Sequence, residues 1–444
     1  MQALQLFIRL AEIPLFVGFW GAAGYGEWLM ITAIPTALAL SDGGFTRTAQ
    51  REMAMKAARN DSSGVINTFQ STWIMLAALS ATLMTIVLTA SESIPIHEWL
   101  SINSITNQEL AITLLILSCQ VLVNFQCSLL YGGFSMHGKY ATAEIHMIIY
   151  FGLGFSSMAL TVMAGGSMAD AALASLLGGL AAHIIMLYNF RRINPELIYG
   201  WKFATRREMK RLALPSFANL AFPLGDAINI QGMRVLVGIT LGAESLAAFS
   251  ALRTLCRMAL QPVLAVGRTI EPEISLTFGA GKEDDVRNLL MRGTQLTLWF
   301  AIFLCFTLII IGPTLFTIWT NSKLSFDIAS FTILLAASLI ASIRTVALTI
   351  PCATNRHMSL AANYLATQAV GSTALAYILC TYIGIAGASL SILLIDICIA
   401  LFTIKTAANL ADQPLHAWAR FSITPPIPEA IKLVKKLHSK KRQD

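Results

Sequence analysis

In the apolar run Phe249-Ser250-Ala251-Leu252-Arg253-Thr254-Leu255-Cys256-Arg257-Met258-Ala259-Leu260-Gln261, two arginines stand four residues apart. On a membrane-spanning helix, Arg253 and Arg257 would project from one face. One arginine at bilayer depth costs at least about 2.5–3.5 kcal/mol. A stacked pair must therefore look into a bundle interior or an aqueous cavity. Such a stripe suits an anionic ligand, because the planar guanidinium fork can hold phosphate oxygens two at a time and stays ionised. The other reading is a buried structural ion pair, although no acid stands beside the two at helical spacing.

Three more arginines, Arg9, Arg234 and Arg344, fall in apolar stretches, as do the acids Glu12, Asp42, Glu144, Asp226 and Asp396. Arg9 and Glu12 are three apart and could pair on one face. Asp42 precedes Gly43-Gly44, which suggests helix-end pairing with Arg47 or a close helix approach through the glycines. Asp226 follows Pro223 and Gly225, where a helix is expected to break. A carboxylate at a broken membrane helix is suited to a proton or sodium ion. Asp396 has no cation at helical spacing. Each acid could hold such an ion or neutralise an arginine.

The elements that position these groups follow from composition. The chain has 444 residues, of which 56% are hydrophobic and only 12% charged. Soluble proteins carry about 25% charged residues. An all-α integral membrane protein is indicated. Apolar stretches predict about twelve spans, at 1–20, 27–47, 69–91, 109–131, 143–164, 169–190, 213–239, 244–268, 293–318, 328–351, 359–382 and 384–407. With the N-terminus in the cytoplasm, 25 of the 31 Lys/Arg fall in cytoplasmic segments and only Lys323 falls opposite. That asymmetry predicts an even number of spans with both termini inside. It also accounts for the net charge of +7 without nucleic acid as a partner. The seven cysteines lie in apolar runs without a CxxC pair, so no metal and no cofactor is expected. The first apolar run lacks the basic start and small-residue cleavage site of a signal peptide.

The chain repeats itself weakly at an offset near 218. Gly24 with Gly26-Glu27 falls opposite Gly242 with Glu244, and Gly166 opposite Gly384. Met136-His137-Gly138-Lys139 falls opposite Thr354-Asn355-Arg356-His357, and Gln70-Ser71-Thr72-Trp73 opposite Gln295-Leu296-Thr297-Leu298-Trp299. Two six-helix lobes around a central cavity are expected, at 1–190 and 213–407. A basic cytoplasmic linker, 191–212, would join them, and a basic tail, 408–444, would follow. Residues 268–292 read as a long cytoplasmic loop, and 427–442 as an amphipathic helix on the anionic leaflet or a frayed basic tail.

Several of these stretches resemble bacterial polysaccharide flippases of the Wzx type. They are Trp20-Gly21, Tyr25-Gly26-Glu27-Trp28, Ala33-Ile34-Pro35, Leu40-Ser41-Asp42-Gly43-Gly44-Phe45 and Phe69-Gln70-Ser71-Thr72-Trp73. The second half adds Gln231-Gly232, Phe249-Ser250, Arg253-Thr254-Leu255 with Arg257, and Pro272-Glu273. The resemblance covers nearly the whole chain. It implies the twelve-helix, two-lobe plan of the superfamily that also holds multidrug exporters and the lipid II flippase. It further implies passage of an undecaprenyl-diphosphate-linked O-antigen or exopolysaccharide unit across a bacterial inner membrane, with polysaccharide-assembly proteins as possible partners alongside the lipids. That family usually carries more residues ahead of its first Trp-Gly, so either the start codon lies upstream or the first helix is short. Two alternatives stand beside it: a cation-coupled multidrug exporter, and a membrane polymerase or ligase. The five membrane arginines disfavour the first, and the short 92–108 segment, with Glu92, His97 and Glu98, disfavours the second. No GxSxG, Walker A, HExxH or DxD signature is present, so an enzyme is not expected.

Overall fold

A computed structural model describes residues 2–425 apart from 43, 94–95, 101, 103, 137, 219–220, 259–260, 262–273, 275–276, 278–282 and 354–357. Its regular elements are all helical. By internal contacts the chain forms two compact units, Met1–Ala248 with Trp319–Ser325, and Phe249–Ile318 with Phe326–Asp444.

The first unit opens with α1, Gln2–Leu38, which is bent at Gly21. In a straight helix Phe16 and Trp28 would lie about 18 Å apart. Their rings are instead 5.9 Å apart, and Phe16 stacks on Trp20 at 4.9 Å. The chain therefore doubles back, and α1 is two antiparallel membrane helices. Gly21 has φ 75° and ψ 178°, a conformation that a Cβ effectively forbids. Carbonyls left open at the end of the first arm are taken by Lys323, whose Nζ donates to Gly18 O at 2.8 Å. Lys323 is thus a helix cap.

Next come α2 (Phe45–Ala58), α3 (Ser62–Ser93), the short α4 (Ile96–Trp99), α5 (Asn107–Ser135), α6 (Tyr140–Met163) and α7 (Met168–Ile193). Helix α2 lies mostly between the expected second and third spans, and the second span ends at Leu38 rather than at 47. Inside the bundle, polar side chains bond to one another or to carbonyls one turn back, as a waterless interior requires. Gln120 donates to Ser175 at 2.8 Å, and Tyr131 donates to Glu144 at 3.0 Å. Beyond α7 the unit adds α8 (Arg206–Ala218), α9 (Ala221–Ala227), a π-helical segment at Ile228–Gly232, α10 (Met233–Leu241) and the start of α11 (Ala243–Met258). A Cβ on Gly26 would meet the Ala243 carbonyl at 1.8 Å, so glycine there lets the returning arm of α1 touch the start of α11.

The second unit holds the rest of α11, α12 (Glu283–Trp319), α13 (Ile328–Ala353), α14 (Met358–Ala366), a π-helical segment at Thr367–Gly371, α15 (Ser372–Ile383), α16 (Ile385–Leu410) and α17 (Leu415–Ile423). Helix α12 begins ten residues before the expected span at 293, so the C-terminal part of the expected 268–292 loop is helical. The remainder of that loop lies mostly outside the described residues, as do Pro272-Glu273, the last turns of the eighth span, the turn at 354–357 and the expected 427–442 helix. Eight helices among the described residues are long and apolar enough to cross a membrane. The other expected spans fall on the returning arm of α1, on the segmented helices around the two π turns, and on α11.

The sequence repeat has a physical counterpart. Gln70 on α3 accepts from Phe203 N at 2.8 Å and donates to Ile198 O at 3.1 Å, holding the segment after α7. Gln295 on α12 donates to Thr424 O at 2.8 Å, and Trp299 to the same oxygen at 3.1 Å, holding the segment after α16. The glycine match shifts: it is Gly21, not Gly24, that shares the positive φ and extended ψ of Gly242.

The linker is further fixed by charge. Lys56 of α2 donates to Thr68 of α3 at 2.7 Å and to Glu208 of α8 at 2.8 Å. Arg211 bonds both Glu208 and Glu52. Burial opposes ionisation of Glu208, but the bonds from Lys56 and Thr68 and the charges of Lys56 and Arg211 outweigh it. Its carboxyl therefore titrates below the ordinary glutamate value. The stability it adds is full above the unfolded pKa and is lost as pH falls through the folded one.

Two outcomes are expected in melting of the solubilised protein. Gly21→Ala should destabilise it by about 1–3 kcal/mol, whereas Gly18→Ala, in open helical space, should not. Glu208→Gln should lower the melting temperature at neutral pH and remove part of the acid dependence; an unchanged acid limb would show that the ion cluster is not holding the linker.

Candidate functional site

The first unit gathers Arg9, Glu12 and Arg234. The hairpin at Gly21 sets Glu12 on the outgoing arm against Tyr25 on the returning arm. Arg234 on α10, and next Arg9, act electrostatically on the Glu12 carboxylate. The Arg234 guanidinium donates to Gln231 Oε1 at 3.1 Å, one turn back in the π segment. Arg9 is exposed, whereas Glu12 and Arg234 are half-buried. The expected Arg9–Glu12 proximity is present, and the added neighbour is Arg234.

In the second unit Arg344 of α13 lies 3.5 Å from Asp396 of α16, with side chains 15% and 12% exposed. Its guanidinium also sits 5.4 Å over the Tyr364 ring. Asp396 thus has a cation after all, contributed by another helix. Gln368, one turn beyond Tyr364, is 4% exposed. Among the described residues its Oε1 has no hydrogen-bond partner. The π segment carrying it packs on α16, where a Cβ on Gly371 would meet Ile395 Cδ1 at 2.9 Å. Tyr364 and Gln368 were not singled out in the sequence; their i, i+4 spacing before Gly371 is the signal that could have found them.

Arg253 and Arg257 lie on α11, both half-buried. Arg253 sits 5.9 Å over the Phe249 ring. The opposite side of α11 is core: Leu252, Leu255 and Cys256 are buried, and Cys256 Sγ lies 3.8 Å from Phe331 O.

Two acids leave the group. Asp42 lies at a helix start, accepting from Gly44 N at 2.9 Å and Thr46 Oγ1 at 2.5 Å, which orients the chain into α2. The Arg47 side chain lies outside the described residues. Asp226 is exposed on α9, directly before the helix changes from α to π winding. The break expected at Pro223 and Gly225 is not there, since α9 runs unbroken through both; the π turn that follows is a form that recurs at functional sites, and residues 219–220 lie outside the described residues.

No family model and no curated protein sequence matches the chain. Solved structures do. An inward-facing multidrug resistance MATE family transporter of the MOP superfamily covers 92% of this chain and 99% of its own, with a TM-score of 0.75 at 14% identity. The chain has the MATE fold. The MATE multidrug transporter DinF-BH, solved with a bound ligand, matches with a TM-score of 0.65 at 13% identity over 93% of this chain and 94% of its own. A MOP superfamily transporter from Pyrococcus furiosus, described by the reverse polarity of its binding pocket, matches with a TM-score of 0.59 at 16% identity over 93% of both chains.

Within this MATE fold, the Arg344–Asp396 pair gives a sharp expectation. Removing one partner of a buried pair costs about 3–5 kcal/mol, because it strands the other charge. Arg344→Met should therefore destabilise the protein more than Arg344→Met combined with Asp396→Leu. Melting of the three proteins decides it; additive losses would contradict the pairing.

Proposed function

We propose that the protein is a flippase for undecaprenyl-diphosphate-linked oligosaccharide, with Arg253 and Arg257 as the diphosphate clamp. The observation that carries this reading is the placement of Arg253 and Arg257 four residues apart on one half-buried face of α11. Two guanidinium groups one helical turn apart complement an anionic cargo. The diphosphate and glycan must cross about 30 Å of hydrocarbon, and desolvating them demands compensating charge and hydrogen bonds. The polyprenyl tail can stay in lipid.

A multidrug exporter for cations would want bare acids. Here Glu12 lies in the field of two arginines and Asp396 is bridged. Shared fold does not decide cargo, and the Pyrococcus furiosus neighbour is itself described as having reversed pocket polarity and a different function. Glu12, Asp226 and Asp396 are the places where a proton or sodium ion could couple to transport, by exchange against the arginine at Glu12 and Asp396. The lysine and arginine distribution supports cytoplasmic termini in a bacterial inner membrane.

Charge-assisted hydrogen bonds contribute about 1.5–3 kcal/mol each. Losing one arginine should weaken cargo binding by roughly tenfold to a hundredfold. In a strain lacking its own flippase, Arg253→Ala and Arg257→Ala should each cut surface glycan severely at equal membrane level, and the lysine variants should retain part of it. Unchanged export in both alanine variants would sink the clamp. Equal failure of lysine and alanine through lost protein would assign these arginines a structural role.

A further inference from the structure

The segment after α7 carries a surface that neither the fold nor the transport reading uses. Trp201 is 78% exposed and Tyr188 63% exposed, with Phe203 and Ile198 also largely exposed. Large apolar side chains usually escape water by folding inward, and here they are prevented. Gln70 clamps the backbone at Ile198 and Phe203. Thr205 N donates to Ser71 Oγ at 3.1 Å. Tyr199 is stacked inward between Phe69 and Trp73, with both ring centroids 5.7 Å away. Inward-facing Tyr199 fixes the loop so that its neighbours point away from the bundle.

Cations are interleaved with these rings. Lys202 Nζ lies 5.6 Å over the Phe203 ring, and Arg192 Cζ lies 5.7 Å over the Tyr188 ring. Arg206, Arg207 and Lys210 are exposed along the start of α8. Of the two acids in this stretch, Glu208 is consumed by Lys56 and Arg211. Among the described residues, Arg192, Lys202, Arg206, Arg207 and Lys210 form no ion pair. All of this lies where a membrane helix, α7, has just ended.

We propose that this surface is a docking site for anionic phospholipid, with Trp201 and Phe203 in the headgroup region and Lys202, Arg206 and Arg207 on the lipid phosphates. Amphipathic rings settle at the bilayer interface, and clustered Lys/Arg beside a membrane helix bind anionic headgroups. The charge complementarity and the fixed outward rings select a leaflet rather than a dissolved anion, because a free phosphate has no use for an exposed indole. The docking holds whichever cargo the transporter carries.

The test uses the full chain, delipidated in mild detergent and titrated separately with phosphatidylglycerol and phosphatidylcholine, with bound lipid counted by native mass spectrometry. Phosphatidylglycerol should be retained in preference. The triple variant Lys202→Gln, Arg206→Gln, Arg207→Gln should reduce its retention by at least about tenfold, and Trp201→Ala should reduce it as well. Both variants alter exposed side chains and should melt like the parent in the absence of lipid. Equal retention of the two lipids would overturn the proposal. So would a preference that survives the triple substitution, or displacement of the lipid by inorganic phosphate alone.

Discussion

An ionised side chain cannot stay in hydrocarbon without a partner, and this constraint shapes the molecule. Arg344 is bridged by Asp396 and covered by Tyr364. Glu12 faces Arg234 and Arg9. Glu144 is bonded by Tyr131, and Asp42 is drawn to a helix start. The Glu12–Arg234 and Arg344–Asp396 contacts link helices separated in sequence, so those spans are positioned by what they must neutralise as well as by what they bury. The same rule applies to backbone: the hairpin at Gly21 opens carbonyls that Lys323 closes from 305 residues away.

Much of this was readable from residue order. Twenty-residue apolar runs and the lysine and arginine distribution give the spans, and the Gln-Trp repeat marks two hydrogen-bonding hooks that the structure places at the same point of each repeat. What sequence order hides is pairing across helices. Asp396 has no cation at helical spacing because Arg344 reaches it from α13. The stretch between the spans expected at 27–47 and 69–91 reads as a connection, yet Phe45–Ala58 is helical, anchored by Lys56 to α3 and α8. The π turns at Ile228–Gly232 and Thr367–Gly371 also escape pattern reading, since one extra residue in a turn leaves no compositional mark.

A shared fold does not fix cargo, so cargo must be argued from charge. Among acids in the described spans, Glu12 and Asp396 face arginines, Glu144 accepts from Tyr131 and the buried Glu27 accepts from Ser104, while α11 presents two arginines on one half-buried face. On the reading proposed above, an anionic headgroup is the complement of that face. The clamps on the polar linker hold the basic segment against α2 and α3.

The most direct measurement is equilibrium binding to the purified protein of two probes of opposite charge, undecaprenyl diphosphate and a cationic rhodamine dye. The account predicts saturable binding of the diphosphate lipid, lost in the Arg253→Ala, Arg257→Ala double variant, and no competition by the dye. Saturable dye binding that survives the double substitution, with no binding of the diphosphate lipid, would contradict it and favour export of cations.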